Sequence, residues 1–245
     1  MRLCPVLTYR IINGSEQARQ ATLLNQPNEM SGTLTRAEQK LQTRNNIMAA
    51  ALKKMSEDKG FSSLGLREVT KEAGIAPASF YRHFSNMEEL CLALVAEAEA
   101  ALQAILQDAK ALEEKGEDVV ASSVSICMQH FRENGPLFRV LAREATGNSP
   151  VIRRAIQRCL MSLNHQLAEI IELEMRRRHR KITNPLYMAE AISTLVFNLG
   201  IASADLSYAK RKEAEKRLAH HIRVIYWGAE AMANSQHMSR NIMLS

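Results

Sequence analysis

Residues 70–90 read TKEAGIAPASFYRHFSNMEEL and constrain the possible folds more than any other segment of the chain. Gly74 permits a sharp reversal of the backbone, and Pro77 stands where a helix can begin, because the first helical N–H has no partner within the helix. Phe80 and Phe84 lie four residues apart, so they share one face of that helix. The segment therefore predicts a tight turn that leads into a short helix with a buried aromatic face.

Two further helices are predicted ahead of this turn. Apolar residues recur at steps of three and four residues from Thr35 onwards, and the same spacing returns between Leu66 and Ala73. Two short helices joined by a tight turn that contains glycine describe a helix-turn-helix, whose second helix can enter the major groove of DNA. The sequence therefore predicts a three-helix unit in this part of the chain.

The outward face of the third helix is suited to a polyanion. No Asp or Glu occurs from Gly74 to Asn86, and a groove lined by phosphates penalises negative charge. Arg82 is the candidate to bind a guanine edge or a phosphate. Ser79, Tyr81 and His83 are candidate phosphate contacts. The formal net charge of +6 adds little, because many basic proteins bind no nucleic acid.

Composition and periodicity predict an all-α chain. The 245 residues include only 10 Gly and 6 Pro, whereas good helix formers are frequent. The fourth helix is expected to begin at a capping box, with Ser85 as the N-cap and Glu88 three residues later. Further helices are predicted near residues 117–133, 136–145, 149–179, 184–205 and 208–233.

Cysteine spacing and apolar runs argue against several other classes. Cys4, Cys91, Cys127 and Cys159 form no C-x-x-C pair and have no histidine at metal-ligand spacing, so we expect neither a disulfide framework nor a metal. No apolar run approaches the ~20 residues that span a bilayer, and the first residues do not resemble a signal peptide. We therefore expect a cytoplasmic protein without a membrane partner.

The segment LREVTKEAGIAPASFYRHFSNMEEL, at residues 66–90, resembles the DNA-binding signature of the TetR family of bacterial transcriptional regulators. Its amino-acid sequence is especially similar to that of the FabR and DesT type, which regulates unsaturated fatty acid synthesis. The close similarity covers roughly residues 35–92, and FRVLAREATG at 138–147 is similar to the FabR branch in particular.

This resemblance implies an all-α homodimer, in which three N-terminal helices bind a palindromic operator and a larger C-terminal domain binds a small effector. We expect a flexible leader over 1–34, with Met30 as a candidate true start, and a helix-turn-helix domain over 35–85. A helical ligand-binding and dimerisation domain over 86–233 and a flexible tail over 234–245 would follow. By position, the resemblance and the outward face give these candidate DNA-binding residues: Thr43, Arg44, Arg67, Ser79, Tyr81, Arg82 and His83. Met87 departs from the family, in which many members have a phosphate-binding lysine.

An effector pocket would require an irregular apolar cavity, which Met and Phe side chains suit. The candidate lining residues are Met128, Phe131, Phe138, Leu141, Met161, Met188 and Phe197. Apolar residues at helical spacing are also typical of plain core, and both interpretations stay open. Arg143 and Glu144 lie in an otherwise apolar helix, where they are candidate polar anchors or an internal ion pair.

Two further patterns have alternative interpretations. The basic run MRRRHRK at 175–181 suits a second DNA or acidic-partner patch, but cations that complement the dipole of a helix C-terminus explain it more simply. Apolar stripes on the last two helices suit a four-helix dimer interface or burial within one chain, and the family resemblance favours the dimer. The stripe residues are Ile192, Val196 and Leu199, then Ile222, Ile225, Tyr226 and Ala229.

The sequence thus indicates a dimeric, ligand-responsive repressor of fatty acid synthesis or desaturation genes, with long-chain acyl thioesters as effectors. One alternative is a repressor of a drug-efflux system that responds to aromatic or cationic molecules; the aromatic content of 5% weighs against it. Another is an enzyme acting on acyl thioesters. The chain has no nucleophile elbow, P-loop, dinucleotide-binding or H-E-x-x-H motif, so no catalytic residue or cofactor is assigned.

Overall fold

A computed structural model describes residues 35–56, 60–112 and 119–242, with side chains to Ser235. All regular structure within these ranges is helical, as the sequence predicts. The helices are α1 (Arg36–Ser56), α2 (Leu66–Glu72), α3 (Pro77–Phe80), α4 (Met87–Leu112), α5 (Val119–Glu133), α6 (Gly135–Glu144), α7 (Pro150–Arg177), α8 (Pro185–Ser203) and α9 (Tyr208–Ile242). A 3-10 turn, Phe61–Ser63, precedes α2. The predicted leader over 1–34 and the candidate start at Met30 lie outside the described residues.

The turn between α2 and α3 has the conformation that its sequence requires. Gly74 adopts a left-handed φ of 67°, which a residue without Cβ accepts readily. The N–H of Ile75 donates to the carbonyl of Thr70 at 3.0 Å and closes the end of α2. Pro77 occupies the first turn of α3, where its missing N–H leaves no hydrogen bond unmade. The helix-turn-helix predicted at this position is therefore present.

The aromatic face predicted for α3 is buried. Phe80 is 0% exposed and Phe84 is 1% exposed, with their ring centroids 5.7 Å apart. The α-helix itself covers a single turn and ends at Phe80, and a run of turns continues it, in which the N–H of Phe84 donates to the carbonyl of Phe80 at 3.1 Å. Burial of the two rings fixes which side chains of this segment face outwards.

The N-terminus of α4 differs from the prediction by one residue. Asn86, and not Ser85, caps the helix, because its side-chain oxygen accepts from the N–H of Glu89 at 2.8 Å. The carboxylate of Glu89 reaches back to the N–H of Ser85 at 2.7 Å. Glu88 instead accepts a hydrogen bond from the hydroxyl of Ser149 at 2.8 Å. The sequence SNMEE offers a capping pair in either register, and the second register forms.

The described chain divides into two compact units. The first comprises the described residues up to Ala100 together with Arg139–Ile156, and the second comprises Ala101–Phe138 and the described residues from Gln157 onwards. The sequence places a boundary at 85/86 instead, and its domain limits stay a prediction. The last helix continues to Ile242, past the predicted end at Ala233.

Helices α5, α8 and α9 pack against one another in the second unit. Their shared core contains Met128, Ala189, Ile192, Leu218 and Ile222. By length and composition α8 could also cross a membrane, but one such helix is weak evidence because core helices of soluble proteins have the same composition. The sequence does not predict a membrane-spanning segment here, because polar residues interrupt the apolar run of α8.

Candidate DNA interface and effector cavity

The outward face of the segment after Gly74 carries the side chains predicted to contact DNA. Tyr81 is 61% exposed, with its ring edge-on to the buried ring of Phe80 at a centroid distance of 5.6 Å. Arg82 is exposed, and Ser79 is half-buried. Arg67, at the start of α2, is also exposed. The aromatic core thus leaves a polar, cationic surface that a DNA groove could meet.

Arg44 joins α1 to the end of this surface. Its Nη1 donates to the carbonyl oxygen of His83 at 2.8 Å, and its guanidinium carbon lies 4.1 Å from the centroid of the Phe84 ring. Thr43 differs, because its hydroxyl donates to the carbonyl of Gln39 one turn earlier in the same helix. Arg44 therefore positions residues 77–84, called here the recognition segment, and its guanidinium keeps further N–H groups that could donate to DNA. The Thr43 hydroxyl instead has a local partner.

His83 is surrounded by positive charge. Its Nδ1 atom is buried without a hydrogen-bond partner, and the pKa of the imidazole is lowered from 6.5, first by burial and then by Lys40, Arg44 and Arg82. Lys40, which is exposed on α1, is a cation that the sequence interpretation did not assign to this surface. Repulsion among these groups would be relieved by a phosphate, which is the behaviour expected of a site for DNA backbone.

Arg143 and Glu144, the candidate polar anchors or internal ion pair, both lie in the first unit. Nη1 of Arg143 donates to the carbonyl of Met55 at 2.7 Å. The carboxylate of Glu144, which is 4% exposed, accepts from the N–H of Phe61 at 2.8 Å. These two hydrogen bonds hold the chain on either side of residues 57–59, before α2, and they have a structural role in the first unit.

The second unit contains an apolar cavity of about 150 Å³. It is lined by Leu102, Ile105, Leu106, Ala109, Val119, Val120, Ser123, Val124, Cys127, Phe131, Leu163, Leu167, Ile170, Ile171, Glu174, Ile192, Ser193, Val196, Phe197, Ile222 and Tyr226. Glu174 is the carboxylate among these described residues, and it pairs with Arg178. The side chains thus favour an uncharged, apolar ligand segment.

Two of the seven predicted pocket residues, Phe131 and Phe197, line this cavity. Phe138 does not line the cavity but packs against both rings, with its ring centroid 4.5 Å from that of Phe131 and 6.0 Å from that of Phe197. Met128 and Met188 are buried in the core shared by α5, α8 and α9.

The remaining two candidates have other surroundings. Leu141 is buried within the first unit, and Met161 is 61% exposed, so the methionine faces solvent. Sequence spacing identified apolar positions but could not tell a cavity wall from close-packed core, and it missed the many aliphatic lining residues for the same reason.

The described part of the chain contains no group of three or more His, Cys, Asp or Glu residues that could hold a metal ion. Burial raises the pKa of the thiols of Cys91 and Cys127 to about 12, so both are protonated at neutral pH and are poor nucleophiles.

Three helices with a glycine turn, followed by a larger helical region around an apolar cavity, are typical of helix-turn-helix DNA-binding proteins with an effector domain. Residues 47–94 match the family described as "Bacterial regulatory proteins, tetR family". The helix-turn-helix part of this chain is therefore similar to the DNA-binding domain of TetR-family regulators. Regulators of this family bind DNA and small-molecule ligands as dimers, and they are not typically enzymes.

Solved structures share the fold of this chain. GusR of Salmonella enterica is 17% identical with a TM-score of 0.63, over 79% of this chain and 98% of that one. A TetR-family regulator of Mesorhizobium loti is 17% identical with a TM-score of 0.60, over 78% and 97%. FadR of Thermus thermophilus, a TetR-family repressor solved with lauroyl-CoA, is 19% identical with a TM-score of 0.52, over 75% and 93%.

Proposed function

We propose that the protein is a dimeric, cytoplasmic repressor of fatty acid synthesis or desaturation genes, and that acyl thioesters control its affinity for a palindromic operator. The observation that carries this proposal is the apolar cavity of the second unit, whose walls are aliphatic and aromatic side chains. Apolar walls with few polar groups suit the chain of an acyl group. The FadR structure with lauroyl-CoA adds that a protein of this fold binds such a ligand.

The size of the cavity limits what enters without a change of structure. A volume of about 150 Å³ equals that of a core cavity that binds a benzene-sized molecule, so it accepts only the last several carbons of a long chain. A longer chain must displace side chains such as Phe131 and Phe197. Such displacement is a means by which ligand binding could favour a second conformation, because only differential affinity shifts an equilibrium between two states.

Dimerisation is proposed through the last two helices. On α9, Val224 and Met232 are 50% and 60% exposed, and they lie eight residues apart, which is a helical spacing. Exposed apolar residues arranged along one helix face are suited to a second copy of the chain. In such a dimer the recognition segments would meet half-sites about 34 Å apart or a multiple of it.

A repressor that responds to a cationic drug is less well supported. Such a ligand would need a carboxylate or several aromatic faces in the cavity. Glu174, the carboxylate among the described lining residues, already pairs with Arg178. Three of the described lining residues are aromatic, against fourteen that are aliphatic, so the lining suits an acyl chain better than an aromatic cation.

Fluorescence anisotropy on promoter fragments of fatty acid synthesis genes tests the proposal directly. Saturated and unsaturated acyl thioesters of increasing length are added at fixed salt, with an unrelated promoter as the control. A change in operator affinity that depends on the chain is expected. Specific binding that no acyl thioester alters would refute the assigned effector, and equal binding to both promoters would refute the assigned target genes.

A further inference from the structure

A second cavity adjoins the apolar one in the same unit. It has a volume of about 360 Å³ and is lined by Val119, Val120, Glu174, Met175, Arg178, Arg180, Arg223, Tyr226, Trp227 and Glu230. Four of these residues, Val119, Val120, Glu174 and Tyr226, also line the apolar cavity, so the two spaces share one wall. A ligand with an apolar end and a polar end could therefore occupy both.

The basic run at 175–181 supplies two of the arginines through a turn at the end of α7. His179 adopts a left-handed φ of 54°, which is uncommon for a residue with a side chain. The N–H of Arg180 donates to the carbonyl of Met175 at 2.9 Å and closes the helix end. Strained backbone of this kind persists where the surrounding structure holds it, and it clusters at binding sites. Because the backbone turns at His179, Arg178 and Arg180 both line the second cavity. In a continuous helix, residues two positions apart would not face the same side.

Among the described residues that line the second cavity, positive charge exceeds negative charge. These residues include three arginines and two glutamates, a formal excess of one positive charge. Arg180 pairs with Glu230 at 3.0 Å, and Arg178 pairs with Glu174. Both arginine side chains are 51% exposed, and ion pairs this exposed contribute little. A polyvalent anion can therefore engage the guanidinium groups without a large cost, and their planar forks match phosphate oxygens.

Trp227 adds an aromatic surface to the same cavity and is 59% exposed. An exposed indole next to arginines is suited to stacking on a nucleobase, because every base presents a π-face. Cationic forks, an aromatic face and an adjoining apolar space together match a ligand with a phosphate-bearing nucleotide head and an apolar chain.

We propose that the cavity formed by Arg178, Arg180, Arg223 and Trp227 binds the phosphate-bearing head of the effector while its acyl chain occupies the adjoining apolar cavity. This inference rests on the proposed function and specifies the head group that the protein recognises. A thioester carried on a phosphorylated nucleotide head is bound more tightly than the same acyl chain on a head without phosphate.

Calorimetry with three dodecanoyl thioesters tests this assignment, using coenzyme A, 4′-phosphopantetheine and unphosphorylated pantetheine as heads. The variant combines Arg178→Gln and Arg180→Gln. Arg176→Gln is the matched control, because Arg176 is 74% exposed, forms a similar i,i+4 pair with Glu172 at 2.7 Å and does not line the cavity. A second variant, Arg223→Gln, probes the opposite wall. Unfolding temperature and operator binding verify that each variant is folded.

We expect the double variant to lose about tenfold or more in affinity for dodecanoyl-CoA and to bind the pantetheine thioester within about twofold of wild type. The control should bind all three as wild type does. The single tryptophan of the chain lies in this cavity, so its fluorescence should respond to the coenzyme A thioester and less to the pantetheine thioester.

The possible failures are distinguishable. Equal affinity of wild type and both variants for dodecanoyl-CoA would overturn the head-group site and leave the acyl-responsive regulator intact. Equal affinity of the wild type for all three thioesters would also overturn it. Absence of binding for every thioester, in a protein that still binds its operator, would overturn both proposals. If the wild type binds the 4′-phosphopantetheine and coenzyme A thioesters with equal affinity, and the pantetheine thioester more weakly, the site recognises the phosphate. That result would exclude stacking of the base on Trp227.

Discussion

The guanidinium of Arg44 donates to the carbonyl of His83 at 2.8 Å while it stacks over the ring of Phe84 at 4.1 Å. One side chain of α1 thus holds the segment that presents Tyr81 and Arg82. The contact is half-buried and combines a charge-assisted hydrogen bond with a cation–π interaction, two interactions that a lysine reproduces poorly.

Arg44→Lys should therefore lower both the stability of the fold and the affinity for the operator. We expect a loss of about 1 to 2 kcal/mol in the free energy of unfolding from the missing hydrogen bond and weaker stacking. Urea unfolding and operator anisotropy measure the two effects. Arg67→Lys, at an exposed position on α2, is the control and should leave stability within about 0.5 kcal/mol of wild type. Unchanged stability of Arg44→Lys would refute the positioning role.

Arg82→Ala separates base recognition from phosphate binding. The side chain is exposed on the recognition segment, so its loss should not unfold the protein. If it binds a base edge, specific affinity falls by about 1 to 3 kcal/mol and discrimination between bases relaxes at one position. If it binds a phosphate, affinity falls equally on all DNA and the slope of log affinity against log salt decreases by about one. Operator variants titrated at several salt concentrations distinguish the two roles.

His83 predicts opposite effects of pH on folding and on DNA binding. Its pKa in the folded protein is lowered from 6.5 by burial, Lys40, Arg44 and Arg82, so the unfolded chain binds the proton more readily. Its contribution to stability is therefore lost as pH falls from 6.5 through the lower folded value. A nearby phosphate favours the imidazolium, so operator affinity should rise over the same fall in pH.

The comparison uses wild type and His83→Gln between about pH 5.5 and 8, where histidine is the side chain that ordinarily titrates. The glutamine variant should show a flatter dependence in both unfolding and anisotropy. Identical pH profiles for the two proteins would show that the proton on His83 has no part in either process.

The helix-turn-helix could be predicted because its determinants are local. Gly74 and Pro77 mark the turn, and Phe80 and Phe84 mark the buried face, all within eleven residues. The predicted N-cap of α4 is wrong by one residue, because Ser85 and Asn86 are both good N-caps and each has a glutamate three residues later. Local chemistry predicts that a cap forms but does not choose between registers of nearly equal energy.

Long-range contacts could not be predicted in this way. The hydrogen bond from Phe61 to Glu144 joins residues 83 positions apart, and no periodicity indicates it. Met161 and Met128 both lie at helical apolar positions, yet the first is 61% exposed and the second is 3% exposed. Spacing identifies a face of a helix, whereas burial depends on which neighbouring helix covers that face.

Gly200→Ala should reduce effector binding by moving an aromatic ring. A Cβ at this position would lie 2.5 Å from Cγ of Phe131, which is buried at 1% exposure and lines the apolar cavity. The ring must shift against Phe197, whose centroid is 5.5 Å away. We expect a destabilisation of about 1 to 3 kcal/mol from overpacking and weaker binding of acyl thioesters by calorimetry. Phe131→Leu in the same chain should recover part of the stability, and a failure to do so would argue against the clash as the cause.

Glu144 and Gly147 should be strongly coupled in stability. The carboxylate of Glu144 accepts from the N–H of Phe61, and its Oε2 lies 2.5 Å from where a Cβ of Gly147 would stand. Glu144→Ala leaves the half-buried Phe61 N–H without this acceptor, which costs about 1 to 3 kcal/mol. Gly147→Ala in the native chain displaces the same carboxylate and should be destabilising too, but with Glu144 already removed the new methyl group meets less obstruction. A double-mutant cycle by urea unfolding is therefore expected to give an interaction energy of about 0.5 kcal/mol or more, with the double variant more stable than the two single losses predict. Simple additivity would mean that the carboxylate moves aside at no cost, and the hydrogen bond to Phe61 would then contribute little to the connection that precedes α2.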